Sequence, residues 1–288
     1  MSNQMERPRG YGGMGVLLLR ALGERHASTF TSGNAREVAG SLGISTSYLP
    51  VLLHRLQRAG LIERLKQGTY VFAGSVAMRA DVHSFGVAMT LIDPCAVSGW
   101  AALNHHGLTE QIPHVITVTT PKGIVTPSMR GASSAAPSVW EVSGRRYEIV
   151  STVAANFFGF EQIWLSGVRV RILDRERALL DCFASPRKFG SLAEAFSILE
   201  ENLHVLDVPR LISYAARFSK RVVAKRVGYA LERFGADLDI LEPLRALPML
   251  GYRALDPARE ATGRRERKWQ LVVNLDAPAL PEAPRRAA

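Results

Sequence analysis

Cysteine is scarce in this chain of 288 residues, which contains only Cys95 and Cys182. Each lies among apolar residues, and neither belongs to a Cys-x-x-Cys pair or to a cluster of cysteine and histidine. This pattern gives no sign of a zinc site or of a disulfide framework, and it is consistent with a reducing cytoplasm. The sequence therefore predicts a cytoplasmic protein with neither a bound metal nor another cofactor.

Long hydrophobic runs are also missing from the sequence. No apolar stretch approaches the roughly 20 residues that a membrane span needs. The apolar segment from Met14 to Leu22 is short, and it continues into polar residues without a cleavage site of small side chains. It does not have the pattern of a signal peptide, and we expect no membrane partner.

Acidic residues are fewer than basic ones, 26 against 36, which gives a formal net charge of +10. The excess is uneven along the chain. Residues 1–80 contain ten Lys and Arg against four acidic residues, whereas residues 81–288 contain 26 against 22. Positive charge concentrated in one segment favours an anionic partner, most simply nucleic acid, because neutralising phosphates releases their counterions.

Length and composition predict more than one domain. Hydrophobic residues make up 47% of the chain and charged residues 22%, which is typical of a globular protein with a core. The chain is too long for a single small helical domain. We predict a flexible basic arm at 1–13, a winged helix-turn-helix at 14–75, a larger C-terminal domain at 76–276 and a disordered tail at 277–288.

Residues 34–73 carry the pattern on which the first domain rests. Apolar residues at helical spacing end at Gly43, and a second helix places Leu49, Leu52, Leu53 and Leu56 on one face. The hydroxyls of the intervening turn are expected to cap this second helix, which would begin at Thr46 or Ser47 so that its proline falls in the first turn.

Two alternating apolar runs follow, Leu61–Leu65 and Thr69–Phe72, around the polar turn Lys66-Gln67-Gly68. This arrangement predicts a β-hairpin. A preceding helix is expected from Gly15 to His26, with Val16, Leu19 and Leu22 facing inward. Together these elements predict a winged helix-turn-helix.

The outward side of the second helix has hydroxyls at its N-terminal end and basic groups further along, which suits a major groove. We expect four residues to approach bases or the phosphates beside them, namely Ser45, Ser47, Tyr48 and Arg55. Six more are expected mostly at phosphates: Thr46, His54, Arg58, Arg64, Lys66 and Gln67. The alternative is that the fold serves protein packing and that the basic face is only solvated.

The rest of the chain alternates between strand and helix patterns. Strands are predicted at 95–97, 115–120, 139–142, 146–150, 167–172 and 269–275, and helices at 82–92, 98–107, 174–184, 191–201, 208–217 and 220–234. The fold class is therefore α/β (mixed α+β), with the winged helix-turn-helix followed by a C-terminal mixed β-sheet domain flanked by helices.

No set of residues forms a recognisable active site. Ser98 and His106 lie eight residues apart on one predicted helix, about 12 Å along its axis, which is too far for a catalytic pair. His105 and His106 would point about 100° apart and are not expected to share a metal.

Structural roles explain the presence of three acidic residues without a catalytic function. Asp174 is expected to cap a helix, Glu176 to lie at its positive end, and Asp181 to pair with Arg177. The sequence therefore predicts a protein that is not an enzyme. Two alternatives stay open: a ligand sensor in which Trp100, His105, His106 and Trp164 line a pocket, and a metal-dependent enzyme on nucleic acid that uses Asp174, Glu176 and Asp181.

Several motifs occur in a characteristic order. Ser98–Pro113 contains Ala101-Ala102-Leu103 and then His106-Gly107-Leu108; Phe157-Phe158-Gly159, Asp174–Asp181 and Arg226-Val227-Gly228 follow, the last before Gly235. In this order the chain resembles the AbiE-type (AbiEi) family of antitoxins and transcriptional regulators of bacterial abortive-infection systems. The resemblance covers most of the chain.

The resemblance implies two activities. The N-terminal domain would bind double-stranded DNA at inverted repeats in the promoter of its own operon and repress it. The C-terminal domain would counter a co-encoded nucleotidyltransferase-like toxin, with Lys220, Arg221, Lys225 and Arg226 as an expected antitoxin surface.

Overall fold

The computed structural model describes residues 11–26, 29–73, 83–123, 139–142 and 144–275. The chain divides into two compact units. The first comprises the described residues of Met1–Pro94, Thr126–Tyr147 and Gln162–Val170, and the second those of Cys95–Val125, Glu148–Glu161 and Arg171–Ala288. Among the described residues, no helix has the length and apolar character to cross a membrane.

Several predicted features fall outside the described residues. They include most of the basic arm, the boundary expected between residues 75 and 76, and the C-terminal tail. These features stay predictions.

The N-terminal elements form a helical layer on a small sheet. In chain order they are α1 (Tyr11–Arg25), β1 (Thr29–Thr31), α2 (Ser32–Ser41), α3 (Leu49–Arg58), β2 (Ile62–Lys66) and β3 (Thr69–Phe72). The helices and the hairpin confirm the sequence-based prediction. Strand β1 was not predicted; it pairs antiparallel with β3 and completes a three-stranded sheet in the order β1-β3-β2.

One apolar core holds these elements together. All four leucines of α3 are buried, at 2–6% exposure, beside Leu18, Leu19 and Leu22 of α1. The prediction for Val16 is wrong, because its side chain is 61% exposed and Leu18 takes the inward position. The β1 residue Phe30 stacks on Tyr70, with ring centroids 5.4 Å apart, so the unpredicted strand contributes an aromatic residue to the core.

A six-stranded sheet forms the centre of the remaining fold. Its strands are β4 (Ala96–Ser98), β5 (Val115–Thr120), β6 (Val139–Val142), β7 (Arg145–Ser151), β8 (Phe160–Leu165) and β9 (Val168–Leu173), in the order β6-β7-β5-β4-β9-β8. The sheet is mixed, since β4 runs antiparallel to β5 and parallel to β9. Five of these strands were predicted, and β8 was not.

The predicted strand at 269–275 belongs to a different sheet. Only Leu271–Val273 (β12) is extended there, and it pairs with β10 (Arg253–Ala254) and β11 (Arg264–Glu266). The expectation that this segment joins the main sheet is therefore wrong. The buried Trp269 precedes β12 and packs over Gly228.

The helices outside the first domain are α4 (Ser84–Leu91), α5 (Gly99–His105), α6 (Arg175–Ala184), α7 (Leu192–Asn202), α8 (Val208–Arg217), α9 (Arg221–Arg233) and α10 (Leu238–Arg245). All but α10 were predicted. Helix α6 packs against α5, α7, α8 and α9, and seven of its ten residues are buried. The predicted cap is present: the Asp174 carboxylate accepts a hydrogen bond from the Arg177 backbone N–H at 2.9 Å.

Candidate nucleic-acid interface

The turn before α3 presents hydroxyl groups to solvent. Ser45, Thr46 and Ser47 are exposed, and the hydroxyls of Ser45 and Ser47 lie 2.7 Å apart. The prediction that a hydroxyl caps α3 is wrong: the helix begins at Leu49, and the N-cap residue Tyr48 makes no side-chain cap. The serine hydroxyls of this turn therefore bond to each other rather than to the backbone of α3.

The outward face of α3 is basic over its second half. His54, Arg55 and Arg58 are exposed, while the leucines on the other side are buried. Arg55 donates a hydrogen bond from Nη1 to the Tyr48 hydroxyl at 3.1 Å, and its guanidinium lies 5.9 Å from the centroid of the Tyr48 ring. The half-buried Tyr48 thus fixes the direction of one exposed arginine.

The hairpin places the three other predicted residues near its tip. Arg64, Lys66 and Gln67 are exposed, at the end of β2 and in the turn. Gly68 has a φ of +70°, which a glycine adopts without strain. Its carbonyl accepts a hydrogen bond of 2.8 Å from the Ser32 backbone N–H at the start of α2, so the turn is attached to the helical layer.

All ten residues predicted to contact DNA lie outside the core, nine of them exposed and Tyr48 half-buried. Their contacts with DNA stay predictions. Arg36 of α2 is also exposed, although it was not among the residues predicted to contact DNA. In a helix-turn-helix the first helix crosses the DNA backbone. A basic residue on that helix was the signal available in the sequence.

The expected antitoxin surface needs correction. Lys220 and Arg221 are exposed, but Lys225 is only 1% and Arg226 only 5% exposed. The Lys225 ammonium donates to the Arg245 carbonyl at 2.7 Å, and burial lowers the pKa of this side chain. Lys225 and Arg226 lie on the side of α9 that packs inward, so they are not surface residues.

Arg226 has a structural role in the same core. It donates to the carbonyls of Phe183 and Ala254, each at 3.2 Å. Burial lowers its pKa to about 10, and the nearby Asp256 carboxylate opposes this shift. The guanidinium therefore joins α6 and β10 through their backbone carbonyls.

The acidic residues of the enzyme alternative each hold a structural contact. Asp174, besides capping α6, accepts a hydrogen bond from the Tyr214 hydroxyl at 2.7 Å. Glu176 is buried and accepts the Asp207 backbone N–H at 2.9 Å. Asp181 pairs with Arg177, as predicted. These contacts stabilise the packing of the C-terminal helices.

The two tryptophans of the ligand-sensor alternative lie in different environments. Trp100 packs against Phe189, with ring centroids 5.4 Å apart, and lines a cavity of about 240 Å³ with His114. Trp164 is 71% exposed, so its side chain does not line an enclosed pocket.

The two adjacent histidines are closer than predicted. The expectation assumed a continuous helix, but α5 ends at His105 and His106 is its C-cap. Their ring centroids lie 5.1 Å apart, and ligand atoms of His105, His106 and Glu161 all lie within 4.8 Å of one another. The three side chains therefore lie close enough together to be considered as ligands of one ion.

The helical layer, the exposed basic helix and the hairpin define a winged helix-turn-helix domain of a DNA-binding regulator. Residues 18–73 match the family model described as transcriptional regulator, AbiEi antitoxin. The family resemblance predicted from the sequence is therefore confirmed over these residues. The family description is that of a regulator and not of an enzyme.

The comparisons extend to the whole fold. No curated protein sequence matches the chain. A crystal structure of the RV2827C protein from Mycobacterium tuberculosis is similar, with a TM-score of 0.62 and 15% identity over 93% of each chain. At this identity the likeness shows the fold alone, and it includes the C-terminal part that the family model does not cover.

Proposed function

We propose that this chain is a transcriptional repressor that binds inverted repeats in the promoter of its own operon and acts as the antitoxin of an AbiE-like pair. The family description of residues 18–73 supports the regulatory half. The observation that carries the proposal is the two-sided character of α3 and its preceding turn: α3 buries four leucines and exposes basic groups, and the turn exposes hydroxyl groups.

In this proposal α3 lies in the major groove. The turn before α3 brings Ser45, Ser47 and Tyr48 towards base edges, where hydrogen bonds specify sequence, and Arg55 reaches them from the second half of the helix. The remaining six predicted residues contact phosphates and set the register of the protein on the duplex, with Arg64, Lys66 and Gln67 contributed by the hairpin. Two copies of the chain would bind each inverted repeat, one on each half, as is common for repressors.

The test is a titration of the DNA upstream of the gene with the full chain. We expect binding that is tighter than to a shuffled duplex of equal length and that weakens steeply with salt. Arg55→Ala should reduce the preference for the promoter sequence, while Arg20→Ala, an exposed arginine of α1 paired with Glu24, serves as the matched control. Equal affinity for promoter and shuffled DNA would contradict the proposal.

The antitoxin half concerns a co-encoded nucleotidyltransferase-like toxin. A reading frame for such a protein next to the gene would support it, and a metabolic neighbourhood would count against it. We expect co-expression of the chain to restore growth to cells that produce the toxin. With two of the four predicted residues buried, Lys220 and Arg221 are the ones to substitute, and Arg253 of β10 (also exposed) gives a matched control.

A second candidate, ligand sensing, is favoured by one cavity of the C-terminal unit. It measures about 270 Å³, and its lining includes Ser98, Thr119, Asn156, Lys188 and Lys220. The ion pair of Arg177 and Asp181 also lines it, and this mixture of hydroxyl, amide and charged groups suits a small polar ligand. A small molecule that binds the chain and shifts its affinity for the promoter would support this function.

A further inference from the structure

We infer that His105, His106 and Glu161 form a binding site for a divalent metal ion of the zinc class. The histidines lie at the C-terminal end of α5, and the glutamate lies in β8. Their ligand atoms all lie within 4.8 Å of one another. The site is independent of the proposed DNA binding, since none of its residues belongs to the winged helix-turn-helix.

The hydrogen bonding of His106 determines which of its ring nitrogens can bind a metal ion. Its Nε2 lies 2.7 Å from the Leu173 carbonyl oxygen. A carbonyl can only accept, so Nε2 carries a hydrogen and donates it. In the neutral ring the lone pair is then on Nδ1. A metal-bound histidine typically donates its other N–H to a backbone carbonyl in the same way, which fixes the tautomer and orients the ring.

The second ligand faces this lone pair. Nδ1 of His106 lies 3.8 Å from Oε1 of Glu161, too far for a hydrogen bond. The side chain of His106 is only 7% exposed and that of Glu161 is 48% exposed, so a basic nitrogen and a carboxylate oxygen lie close together at a partly exposed site. A metal ion between them would accept a lone pair from each.

The geometry is close to that of a metal site. Zinc bonds of 2.0–2.2 Å place neighbouring tetrahedral ligands about 3.4 Å apart. The His106–Glu161 separation exceeds this by about 0.4 Å. His105 and Glu161 are exposed, so small rotations of their side chains can bring all three ligand atoms to bonding distance.

The chemistry of the set selects the ion. Two imidazoles and one carboxylate suit zinc and its transition-metal neighbours rather than magnesium or calcium, which prefer oxygen. The C-terminal end of a helix carries partial negative charge, which favours a cation there. A bound ion would tie the end of α5 to the start of β8 and leave one coordination position open.

The experiment uses the full chain after removal of any histidine tag and of metals by a chelator. Zinc chloride is titrated by calorimetry, and cobalt is used as a spectroscopic probe whose visible absorption reports nitrogen ligation. We expect one zinc per chain, displacement of cobalt by zinc, and a higher thermal midpoint with zinc. Absence of zinc binding by the unaltered chain would overturn the inference.

Three variants locate the site. Glu161→Gln and His106→Ala should each weaken zinc binding by at least about tenfold. His204→Ala removes another exposed histidine that is outside the cluster and should bind zinc like the unaltered chain. Since His106→Ala also loses the bond to Leu173, the exposed Glu161 provides the deciding variant. Unchanged zinc affinity in Glu161→Gln and His106→Ala would place the ion elsewhere and refute the assignment.

Discussion

Arg55 and Tyr48 are joined by a hydrogen bond of 3.1 Å on the exposed side of the helix-turn-helix. The tyrosine is the N-cap residue of α3 and is half-buried, whereas the arginine is exposed one turn before the end of the helix. A long, flexible arginine is thereby held in one direction before any DNA is bound, which reduces the entropy that its ordering would cost.

Tyr48→Phe removes this bond and keeps the ring. We expect the variant to retain its overall affinity for DNA and to lose part of its preference for the promoter sequence, because Arg55 is no longer held by the hydroxyl. Arg55→Ala should cost about 1–3 kcal/mol of discrimination between promoter and shuffled DNA. Fluorescence anisotropy with both duplexes measures the two affinities. A uniform loss on both would instead assign Arg55 to phosphate binding.

The second prediction concerns residues expected at phosphates. Arg58→Ala and Lys66→Ala should each weaken binding to all duplexes alike and reduce the slope of log affinity against log salt by about 1. The measurement is anisotropy at several salt concentrations. If the slope and the affinity of both variants equal those of the unaltered chain, the placement of α3 and the hairpin on DNA is wrong.

A third prediction separates the two faces of α3. Leu52 is 2% exposed in the core, and its neighbour Val51 is 45% exposed. Leu52→Ala should lower the free energy of unfolding by about 2–5 kcal/mol, whereas Val51→Ala should change it by about 0.5 kcal/mol or less. Urea unfolding of the full chain, followed by circular dichroism, gives the difference; equal effects would mean that the helix faces are assigned incorrectly.

The fourth prediction uses two helical glycines. A Cβ on Gly228 of α9 would overlap the buried indole ring of Trp269, while a Cβ on Gly40 of α2 would meet nothing within 4 Å. Gly228→Ala should therefore destabilise the chain by about 1–3 kcal/mol or more. Gly40→Ala should stabilise it by about 0.5–1 kcal/mol, because alanine loses less backbone entropy in a helix. Thermal unfolding distinguishes them.

The fifth prediction follows from the bond between Tyr214 and Asp174. Burial, together with this hydrogen bond, raises the pKa of Tyr214 from 10.0 to about 12. A raised pKa of the folded state means that the contribution is fully present below pH 10 and is lost as the pH rises through about 12. Tyr214→Phe should cost about 1.5 kcal/mol at pH 7. This cost should shrink between pH 10 and 12, as urea unfolding at several pH values would measure; a constant cost would assign it to packing.

Much of the fold follows from local patterns. The spacing of Leu49, Leu52, Leu53 and Leu56 predicted the buried face of α3, and alternation predicted β2 and β3, because one helix or strand face must be buried wherever the sequence makes it apolar. Strand β1 was not predicted, because Thr29–Thr31 is only three residues long and is held in an extended conformation by its pairing with β3. A short segment has too little local signal to be recognised.

The candidate sites were predicted less completely than the fold. Of the ten residues predicted to contact DNA, nine are exposed and Tyr48 is half-buried, because helix and hairpin periodicity fixes which side chains face outward. Periodicity alone did not place Lys225 and Arg226 in the core, because a basic residue is normally expected on a surface. Their burial depends on carbonyl groups of Arg245, Phe183 and Ala254, which come from other parts of the chain.

The sequence by itself determined the winged helix-turn-helix, the basic face of α3 and the family of residues 18–73. These properties reside in residues near one another along the chain, where periodicity and charge can be counted. Only the tertiary structure decided which basic residues of α9 are buried and that His106 and Glu161 face each other. Such contacts depend on how separate helices and strands pack. The free energy of that packing comes from interactions between residues that are distant in the sequence, which no local pattern contains.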